Sequence, residues 1–297
     1  MYWQTSRFQI DLESPKIMGI VNVTPDSFSD GGHYETVQAA CAHCEQLVAD
    51  GAHILDIGAE STRPGAQVVS VEVELARIVP VLRHAVTLGV PVSVDTYKPA
   101  VMQVALDLGV DIINDIWALR WPGDAQGRLG LDVVAAHSQC GICVMHMHRD
   151  PATMQVAPMT GDVISEVMDF LHHQVVSLRA AGVAPSRICL DPGVGFGKTV
   201  AQNFSLLARQ IELLRVGYPL LVGWSRKSSL KAVAPPMAPE GTPENLHERV
   251  VPSITAALLA VSAGAHIVRV HDVRETAQAL MVYNAMQAQR LPAPNHF

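Results

Sequence analysis

One pattern recurs along this sequence: an apolar run of strand length, a polar residue at its end, a Gly- or Pro-rich loop and then a helical stretch. The clearest copy is the run at residues 187–190, which is followed by Asp191 and the glycine-rich loop at 192–198. A carboxylate at the end of a buried strand loses solvation free energy unless a partner binds it. We therefore expect the residues at the strand ends to be the functional ones.

Eight apolar runs are predicted to be strands, and the stretches around them have helical periodicity. The strands are predicted at residues 16–23, 53–57, 90–94, 111–114, 142–146, 187–191, 219–223 and 266–270. The helices are predicted at residues 36–49, 71–88, 98–108, 131–136, 162–181, 201–214, 252–263 and 273–289. Glycines follow several of these helices, as helix C-termini prefer.

Eight such units in 297 residues predict an α/β fold, a (β/α)8 TIM barrel in a single domain over residues 1–297. Residues 1–15 are expected to be an N-terminal extension at the barrel bottom. A doubly wound sheet is the alternative, but no dinucleotide-binding glycine motif follows the first strand. Residues 234–245 are predicted to be a surface loop without chemical consequence.

Composition and charge indicate which kinds of partner and which cellular location to expect. The formal net charge of −7 argues against nucleic acid as a partner, although a small anionic substrate is compatible with it. The N-terminus lacks a signal-peptide pattern and no apolar run is long enough to span a bilayer, so we expect a cytoplasmic protein without membrane contact. Five cysteines include the spacings Cys41-x-x-Cys44 and Cys140-x-x-Cys143. Zinc binding and redox sensing are alternatives, but we favour core packing.

Polar residues at the predicted strand ends form two groups, at the end of the barrel where such folds place their sites. The first group surrounds a flat polar heterocycle and consists of Asp95, Asn114, Asp191 and Lys227. The second group suits an anion and consists of Asn22, Thr62, Arg63, Arg269 and His271. An acid at a strand end is more commonly a helix cap or a surface ion-pair partner, and Asp56 is a candidate structural acid. For His146 and His148 we favour packing or hydrogen bonding over metal binding.

Seven segments, in order along almost the whole chain, resemble the dihydropteroate synthase family. The first two and last three are long and specific, whereas an Asn-Asp pair alone would be uninformative. The segments lie at residues 18–32, 56–65, 93–96, 113–115, 191–198, 223–228 and 269–273.

The resemblance implies a transferase that joins 6-hydroxymethyl-7,8-dihydropterin diphosphate to p-aminobenzoate, which gives 7,8-dihydropteroate and diphosphate in folate biosynthesis. The pterin would be bound by Asp95, Asn114, Met145, Asp191, Phe196, Gly223 and Lys227. Asp191 would accept the paired N–H groups of the aminopyrimidine edge in charge-assisted hydrogen bonds.

The resemblance also implies Mg²⁺ as a cofactor, held by Asn22 together with the diphosphate. The phosphate oxygens would be bound by Asn22, Thr62, Arg63, Arg269 and His271. Diphosphate departure would leave a cation on the pterin methylene, which Asp30 would stabilise. The catalytic residues would be Asp30, Arg63, Lys227 and Arg269.

The aminobenzoate pocket implied by the resemblance consists of Phe28, Arg63, Pro64, Ser225 and Phe196. Sulfonamides are the expected inhibitors, since the extra Phe-Gly that resistant relatives carry near Phe196 is absent here. A homodimer is also implied by the resemblance.

Two other functions are compatible with the barrel and its Asp/Asn pair. One is a methyltransferase that passes a methyl group from methyltetrahydrofolate to a corrinoid protein, and the other is a paralogue that binds pterin without turnover. The segments at residues 62–64 and 225–227 argue against the first, and Phe28, Asp30 and Arg63 argue against the second. The bulky stretch at residues 117–122 is expected to lie away from the site.

Overall fold

The computed structural model describes residues 1–24, 33–60, 68–123, 127–151, 153–154, 156, 158–240 and 242–289, without the side chains of residues 33–36. Eight parallel strands form one sheet, in the order of residues 188–191, 141–145, 112–115, 92–95, 54–58, 16–22, 267–270 and 221–222. A parallel bridge between Leu190 and Leu220 joins the two ends of that order, so the sheet closes on itself. The predicted (β/α)8 barrel is confirmed, and the doubly wound alternative is wrong.

The eight barrel strands follow the predicted runs to within two residues at each end. Together with the two N-terminal strands, they are β1 Tyr2–Gln4, β2 Gln9–Asp11, β3 Lys16–Asn22, β4 Ile54–Gly58, β5 Val92–Asp95, β6 Ile112–Asp115, β7 Gly141–Met145, β8 Ile188–Asp191, β9 Leu221–Val222 and β10 Ile267–Val270. The first two form an antiparallel hairpin outside the barrel sheet.

Helices separate the barrel strands, and those predicted from the periodicity are present. They are α1 His33–Ala49, α2 Val71–Ala85, α3 Pro99–Asp107, α4 Gly130–Ala136, α5 Val163–Ala180, α6 Val200–Ala208, α7 Gln210–Leu213, α8 Ser228–Val233, α9 Pro243–Glu248, α10 Val250–Ser262 and α11 Val273–Gln287. No helix in the described ranges is long and apolar enough to cross a membrane.

Alternation along each strand divides the side chains between two environments, because successive residues point to opposite faces. On β4, Leu55 and Ile57 join the aliphatic core between the barrel and its helices. Ile54 joins a separate cluster inside the barrel, and Asp56 is fully buried two residues further along. The barrel interior therefore changes from apolar to polar toward its C-terminal end.

The N-terminal hairpin covers the barrel bottom, as expected for residues 1–15. Trp3 is completely buried within the interior cluster and its indole N–H donates to the carbonyl of Arg187 at 2.9 Å. Arg7 pairs with Asp111 through Nη2 and Oδ2 at 2.6 Å, while the Asp111 carboxylate also accepts from the Val92 N–H at 2.9 Å. The hairpin is thereby fixed to the start of two barrel strands.

Two local predictions needed correction. The single helix predicted at residues 201–214 is divided into α6 and α7, followed by a 3-10 turn at Leu214–Val216. The loop predicted at residues 234–245 contains the start of α9. There Thr242 accepts a hydrogen bond from the Asn245 N–H at 3.2 Å, and Pro243 opens the helix. A Thr-Pro pair is a helix start signal, which the surrounding prolines obscured.

Candidate active site

The predicted pterin residues converge inside the barrel at the C-terminal ends of neighbouring strands. Asp95 on β5 lies opposite Asn114 on β6, and Met145 on β7 lies opposite Asp191 on β8. These four side chains therefore lie at or next to the C-terminal ends of four consecutive barrel strands. Gly223, just after β9, lies beside Arg269, since a Cβ built there would be 3.9 Å from that of Arg269.

Arg269 forms ion pairs with two carboxylates at this end of the barrel, the barrel mouth. Its Nε donates to Asp56 Oδ2 at 2.6 Å and its Nη2 donates to Asp95 Oδ2 at 2.7 Å. The Asn114 amide also donates to Asp56 Oδ2, at 3.2 Å. The planar guanidinium thus connects two carboxylates that approach from different strands. Arg269, which was predicted for the anion-binding group, thus also contacts two carboxylates of the barrel interior.

Asp56 was considered only as a candidate structural acid, yet it is the buried counter-ion of Arg269. The available signal was alternation: Asp56 is two residues from Ile54, so it also points into the barrel. Its Oδ1 atom has no hydrogen-bond partner among the described residues, and neither does Ser93 Oγ, whose residue lies opposite Asp56. Two buried polar atoms below the mouth are therefore without a partner among the described residues.

The protonation of Asp95 is tuned by these neighbours. Burial raises its pKa to about 7, with Arg269 acting in the opposite direction and Asp56 adding to the increase. Although burial opposes it, the carboxylates of Asp56 and Asp95 raise the pKa of Arg269, which stays charged. A carboxyl group that titrates near neutrality can donate or accept a hydrogen bond, which suits recognition of ring nitrogens.

Asp191 lies under the glycine loop and is 7% exposed. Its Oδ1 accepts from the Gly193 N–H at 2.7 Å. Burial raises the pKa of this carboxyl, while the Gly193 hydrogen bond and the charges of Lys227 and Lys198 lower it. The carboxylate is therefore held in one orientation by the backbone of the loop that follows it.

Lys227 and Phe196 meet at the same mouth. The Lys227 ammonium lies 4.3 Å from the centroid of the Phe196 ring, a cation–π contact. Phe196 and Met145 belong to one buried cluster at the mouth. These residues were predicted to flank or contact a flat ring, and the structure brings them together beside Asp191.

The stretch at residues 117–122 was predicted to lie away from the site, and this was wrong. Trp117 and Trp121 pack against the cluster that contains Met145 and Phe196. Their ring centroids are 6.3 and 5.4 Å from that of Tyr97. The sequence-based expectation failed because the chain turns back over the mouth after β6.

Asp115 holds that turn. Its two carboxylate oxygens accept from the Trp117 N–H at 2.8 Å and the Leu119 N–H at 2.7 Å. Ala118 and Leu119 both have positive φ, 52° and 62°, which is unfavourable for residues with a side chain. The Asp115 hydrogen bonds offset this backbone strain, and they direct the tryptophans to the mouth.

A second buried network, missed from sequence, lies between the mouth and the end of β4. Glu60 accepts from the Tyr97 hydroxyl at 2.9 Å and from the Val69 N–H at 3.3 Å. The buried Lys98 ammonium bonds to both Glu60 and Glu74. These contacts hold Glu60 in place and connect it to the backbone of Val69.

The described part of the predicted anion group lies on β3 and β10. Ser225 and His271 are joined by a 2.9 Å hydrogen bond between Oγ and Nδ1, although they were predicted for different substrates. Asn22 ends β3 with an exposed side chain and lies opposite Gly58. The other predicted residues lie outside the described residues: Phe28, Asp30, Thr62, Arg63 and Pro64.

The side-chain amide of Asn22 is a suitable ligand for a hard cation that is held mainly by a phosphorylated substrate. One exposed amide oxygen at the mouth is the kind of ligand Mg²⁺ takes when phosphates supply the rest. Within the described ranges, no group of three His, Cys, Asp or Glu residues could hold a metal. Cys41 and Cys44 lie on α1, Cys143 lies in β7, and all the cysteines are free thiols.

His146 supports the preference for hydrogen bonding over metal binding. It is buried just after β7, where its Nδ1 lies 2.9 Å from the Lys198 ammonium. Its ring packs edge-on against Phe170 with centroids 4.9 Å apart.

Comparison with known proteins agrees with this arrangement. The family model for pterin binding enzymes matches residues 18–271. A dihydropteroate synthase from Neisseria meningitidis serogroup B is 50% identical over 290 residues, which covers 96% of this chain and 97% of that protein.

Solved structures give the same result. A dihydropteroate synthase from Burkholderia cenocepacia, in complex with 7,8-dihydropteroate, is 46% identical with a TM-score of 0.83 and coverage of 97% and 96%. One from Xanthomonas albilineans with 4-aminobenzoic acid is 43% identical with a TM-score of 0.86 and coverage of 97% and 99%. One from Yersinia pestis with a sulfonamide drug is 40% identical with a TM-score of 0.86 and coverage of 97% and 100%. This chain therefore belongs to the pterin binding enzymes and, among them, to the dihydropteroate synthase family.

Proposed function

We propose that this protein condenses 6-hydroxymethyl-7,8-dihydropterin diphosphate with p-aminobenzoate to give 7,8-dihydropteroate and diphosphate. The single observation that supports this best is the layer of Asp95, Asn114 and Asp191 around Arg269 at the barrel mouth. That layer presents carboxylates and an amide to one small volume, as recognition of a heterocycle with alternating donors and acceptors requires. Family membership supports the same reaction.

Pterin recognition is assigned to the inward layer. Asp191 accepts two N–H groups from the aminopyrimidine edge, while Asn114 and Asp95 bond to further ring nitrogens. Lys227 donates to the ring oxygen and nitrogen. Met145 and Phe196 pack against the ring faces, next to Gly223 where the backbone leaves room.

Departure of diphosphate is assigned to the anion group. The C–O bond between the pterin methylene and the diphosphate breaks, and the diphosphate takes the electron pair. Asn22 and His271 hold phosphate oxygens together with Thr62 and Arg63. Asn22 would also hold a Mg²⁺ ion, which when bound would neutralise charge on the leaving group. Arg269 contributes its remaining N–H groups, because its Nε and Nη2 already bond to Asp56 and Asp95.

Bond formation follows on the same methylene carbon. Asp30 stabilises the positive charge that spreads into the pterin ring, and the amine of p-aminobenzoate attacks the methylene and then loses a proton. Phe28, Arg63, Pro64, Ser225 and Phe196 form the aminobenzoate pocket. Catalysis on this account consists mainly of positioning and electrostatic stabilisation.

We also propose that residues 1–297 form one domain and that two copies associate through α10 and α11. Large apolar side chains are exposed on both helices, among them Val251 at 70% and Val282 at 73%. Exposed apolar area of this kind is typical of surfaces that bind another protein. A cytoplasmic location is supported by the five free thiols, which suit a reducing compartment.

Diphosphate release tests the reaction directly. The purified protein with Mg²⁺ and both substrates should release diphosphate and form 7,8-dihydropteroate, and no condensation product should form when p-aminobenzoate is replaced by benzoate. A corrinoid methyltransferase would instead demethylate methyltetrahydrofolate when a corrinoid protein is added. A non-catalytic paralogue would bind the pterin and release no diphosphate, so either result would overturn the proposal.

Sulfonamides should inhibit this enzyme competitively with p-aminobenzoate, because Phe196 is followed directly by Gly197 and Lys198. The measurement is the initial rate at several concentrations of each compound. Turnover that is unaffected by a large excess of sulfonamide would contradict this expectation.

A further inference from the structure

Lys198, the last residue of the glycine loop, is a buried ammonium group that the proposed reaction does not use. Its side chain is enclosed, with the residue only 3% exposed. Its Nζ donates to the carbonyl oxygens of Gly193 at 2.8 Å and Phe196 at 3.1 Å, and lies 2.9 Å from His146 Nδ1. Burial of a cation costs free energy unless such partners bind it, so we ask what these contacts contribute to the site.

His146 is a neutral acceptor for this ammonium. Burial, together with the charges of Lys198 and Arg120, lowers the pKa of His146 to about 2. An unprotonated ring with Nδ1 toward the ammonium carries its hydrogen on Nε2. The contact with Phe170 then fixes the plane of the ring, and the ring fixes the ammonium.

The ammonium holds the peptide that orients Asp191. Lys198 bonds to the carbonyl of Gly193, and the N–H of the same residue donates to Asp191 Oδ1 at 2.7 Å. Gly193 has a φ of 67°, and a Cβ there would lie 1.8 Å from the carbonyl oxygen of His146. Only glycine therefore fits at position 193, and the Lys198 ammonium holds the carbonyl group of the same residue.

The same ammonium also holds the backbone of Phe196. The Phe196 carbonyl accepts from Lys198, and its ring lies against the Lys227 ammonium at 4.3 Å. Two residues assigned to the pterin, Asp191 and Phe196, thus depend on one internal cation for their position.

We propose that Lys198 is a positioning residue for pterin recognition, which sets the orientation of Asp191 and Phe196 through the backbone of the glycine loop. This inference rests on the proposed function, because it assigns Asp191 and Phe196 to the pterin. Lys198 itself contacts no substrate and takes no part in bond making.

The charges around the ammonium make its role dependent on pH. Burial lowers the pKa of Lys198 to about 7, while Asp191 acts to raise it and Lys227 to lower it. His146 is neutral and Asp191 must be ionised to accept from the pterin. Pterin affinity is therefore expected to fall as the pH rises above about 7, where Lys198 loses its proton.

The first test compares K198M with K16M. Lys16 lies at the start of β3, at the end of the barrel away from the mouth, and bonds to Ser14. Its substitution is therefore the control for loss of a lysine outside the site. We expect K198M to raise the KM for pterin diphosphate by about 10- to 100-fold, the effect of losing a charged hydrogen-bond partner. The KM for p-aminobenzoate should change less than about twofold, and K16M should match the wild type.

The second test separates positioning from a role in stability alone. Arginine stays protonated at all relevant pH values, so K198R should bind 6-hydroxymethylpterin without the loss of affinity above about pH 7. Asp95 titrates in the same range in both proteins, so the difference between the two profiles reports Lys198. Calorimetric titration from pH 6 to 9 gives the affinities, and thermal unfolding verifies that each variant is folded.

The H146L and H146Q variants are the independent arm if Lys198 variants do not fold. H146Q keeps an acceptor for the ammonium and should retain pterin affinity, whereas H146L removes it and should weaken pterin binding about tenfold. An unchanged pterin KM in K198M, or equal effects of H146Q and H146L, would overturn the inference. Failure of wild-type turnover would instead refute the proposed function, while the 6-hydroxymethylpterin titrations would still test Lys198.

Discussion

The same strands line both ends of the barrel interior, but the two ends differ in polarity. The inward-facing residues at the bottom are apolar, and several of those two positions further along the strands are polar or charged. The lower layer is apolar and consists of Met18, Ile54, Ile112, Cys143, Cys189, Leu221 and Ile267, closed by Trp3. The upper layer contains Asp56, Asp95, Asn114, Asp191 and Arg269. Two residues along a strand span about 6.6 Å. Stability and recognition are therefore assigned to adjacent layers of one barrel, and substitutions should separate them.

The largest expected effect is on ligand affinity in the upper layer. Asp191→Ala should weaken pterin binding by about 3–6 kcal/mol, since two charge-assisted hydrogen bonds are lost at about 1.5–3 kcal/mol each. The free energy of unfolding should change little, because burial raises the pKa of this carboxyl and so disfavours its charge in the folded state. Calorimetric titration with 6-hydroxymethylpterin and chemical denaturation measure the two quantities. A variant that binds pterin like the wild type would contradict the role of Asp191.

The lower layer should show the opposite result. Trp3→Ala should reduce the free energy of unfolding by about 3–5 kcal/mol, as truncation of buried aromatic residues does. Pterin affinity of the folded protein should be retained. Tyr2→Ala is the matched control, since Tyr2 is on the same strand and 52% exposed, and should cost less than about 0.5 kcal/mol. Loss of pterin affinity in folded Trp3→Ala would show that the layers are not independent.

A smaller effect is expected on the pH dependence of stability, and it comes from Asp115 near the barrel mouth. Burial raises the pKa of Asp115 to about 7, despite hydrogen bonds from Trp117 and Leu119. The folded state then binds more protons than the unfolded state, so the free energy of unfolding should fall as the pH rises from about 4 to 7. The slope is at most roughly 1.4 kcal/mol per pH unit for one group.

Asp115→Asn removes this titration while it keeps an acceptor oxygen for the turn. Its denaturation curves between pH 4 and 8 should show a shallower fall than those of the wild type. Asp11→Asn, on the hairpin at the barrel bottom, is the control and should leave the slope unchanged. Equal slopes in Asp115→Asn and the wild type would contradict the assignment.

The smallest expected effect is at the aromatic rim of the mouth. Trp121→Ala should cost about 0.5–1.5 kcal/mol of aromatic pairing with Tyr97, beyond the apolar area lost. Because Trp121 packs on the cluster of Phe196 and Met145, the pterin KM should rise by a few fold. A double-mutant cycle with Tyr97→Leu isolates the pair. A coupling energy of zero would show that the two rings act separately.

The order of the strands and the residues at their ends could be predicted from the sequence, because each apolar run ends at a polar residue and alternation sets which side chains point inward. The positions of Asp95, Asn114 and Asp191 followed from that rule. The ion pairs of Arg269 with Asp56 and Asp95 could not be predicted in this way, since its long side chain reaches strands that are far apart in sequence.

Other features depend on contacts that no local pattern encodes. The Lys198–His146 pair joins residues 52 positions apart, and no local pattern in the sequence connects the two. The turn at Ala118 and Leu119 has positive φ without glycine, so turn propensity could not predict it. It forms because Asp115 supplies two hydrogen bonds, and this placed Trp117 and Trp121 at the mouth against expectation.

The most direct test of the account is diphosphate release by the wild type, Trp3→Ala and Asp191→Ala, measured with pterin diphosphate, p-aminobenzoate and Mg²⁺ at a temperature where all three are folded. We expect the wild type and Trp3→Ala to release diphosphate with similar pterin KM values. Asp191→Ala should lose most of its activity at substrate concentrations that saturate the wild type. Normal turnover and pterin KM in Asp191→Ala would contradict the claim that the upper layer recognises the pterin.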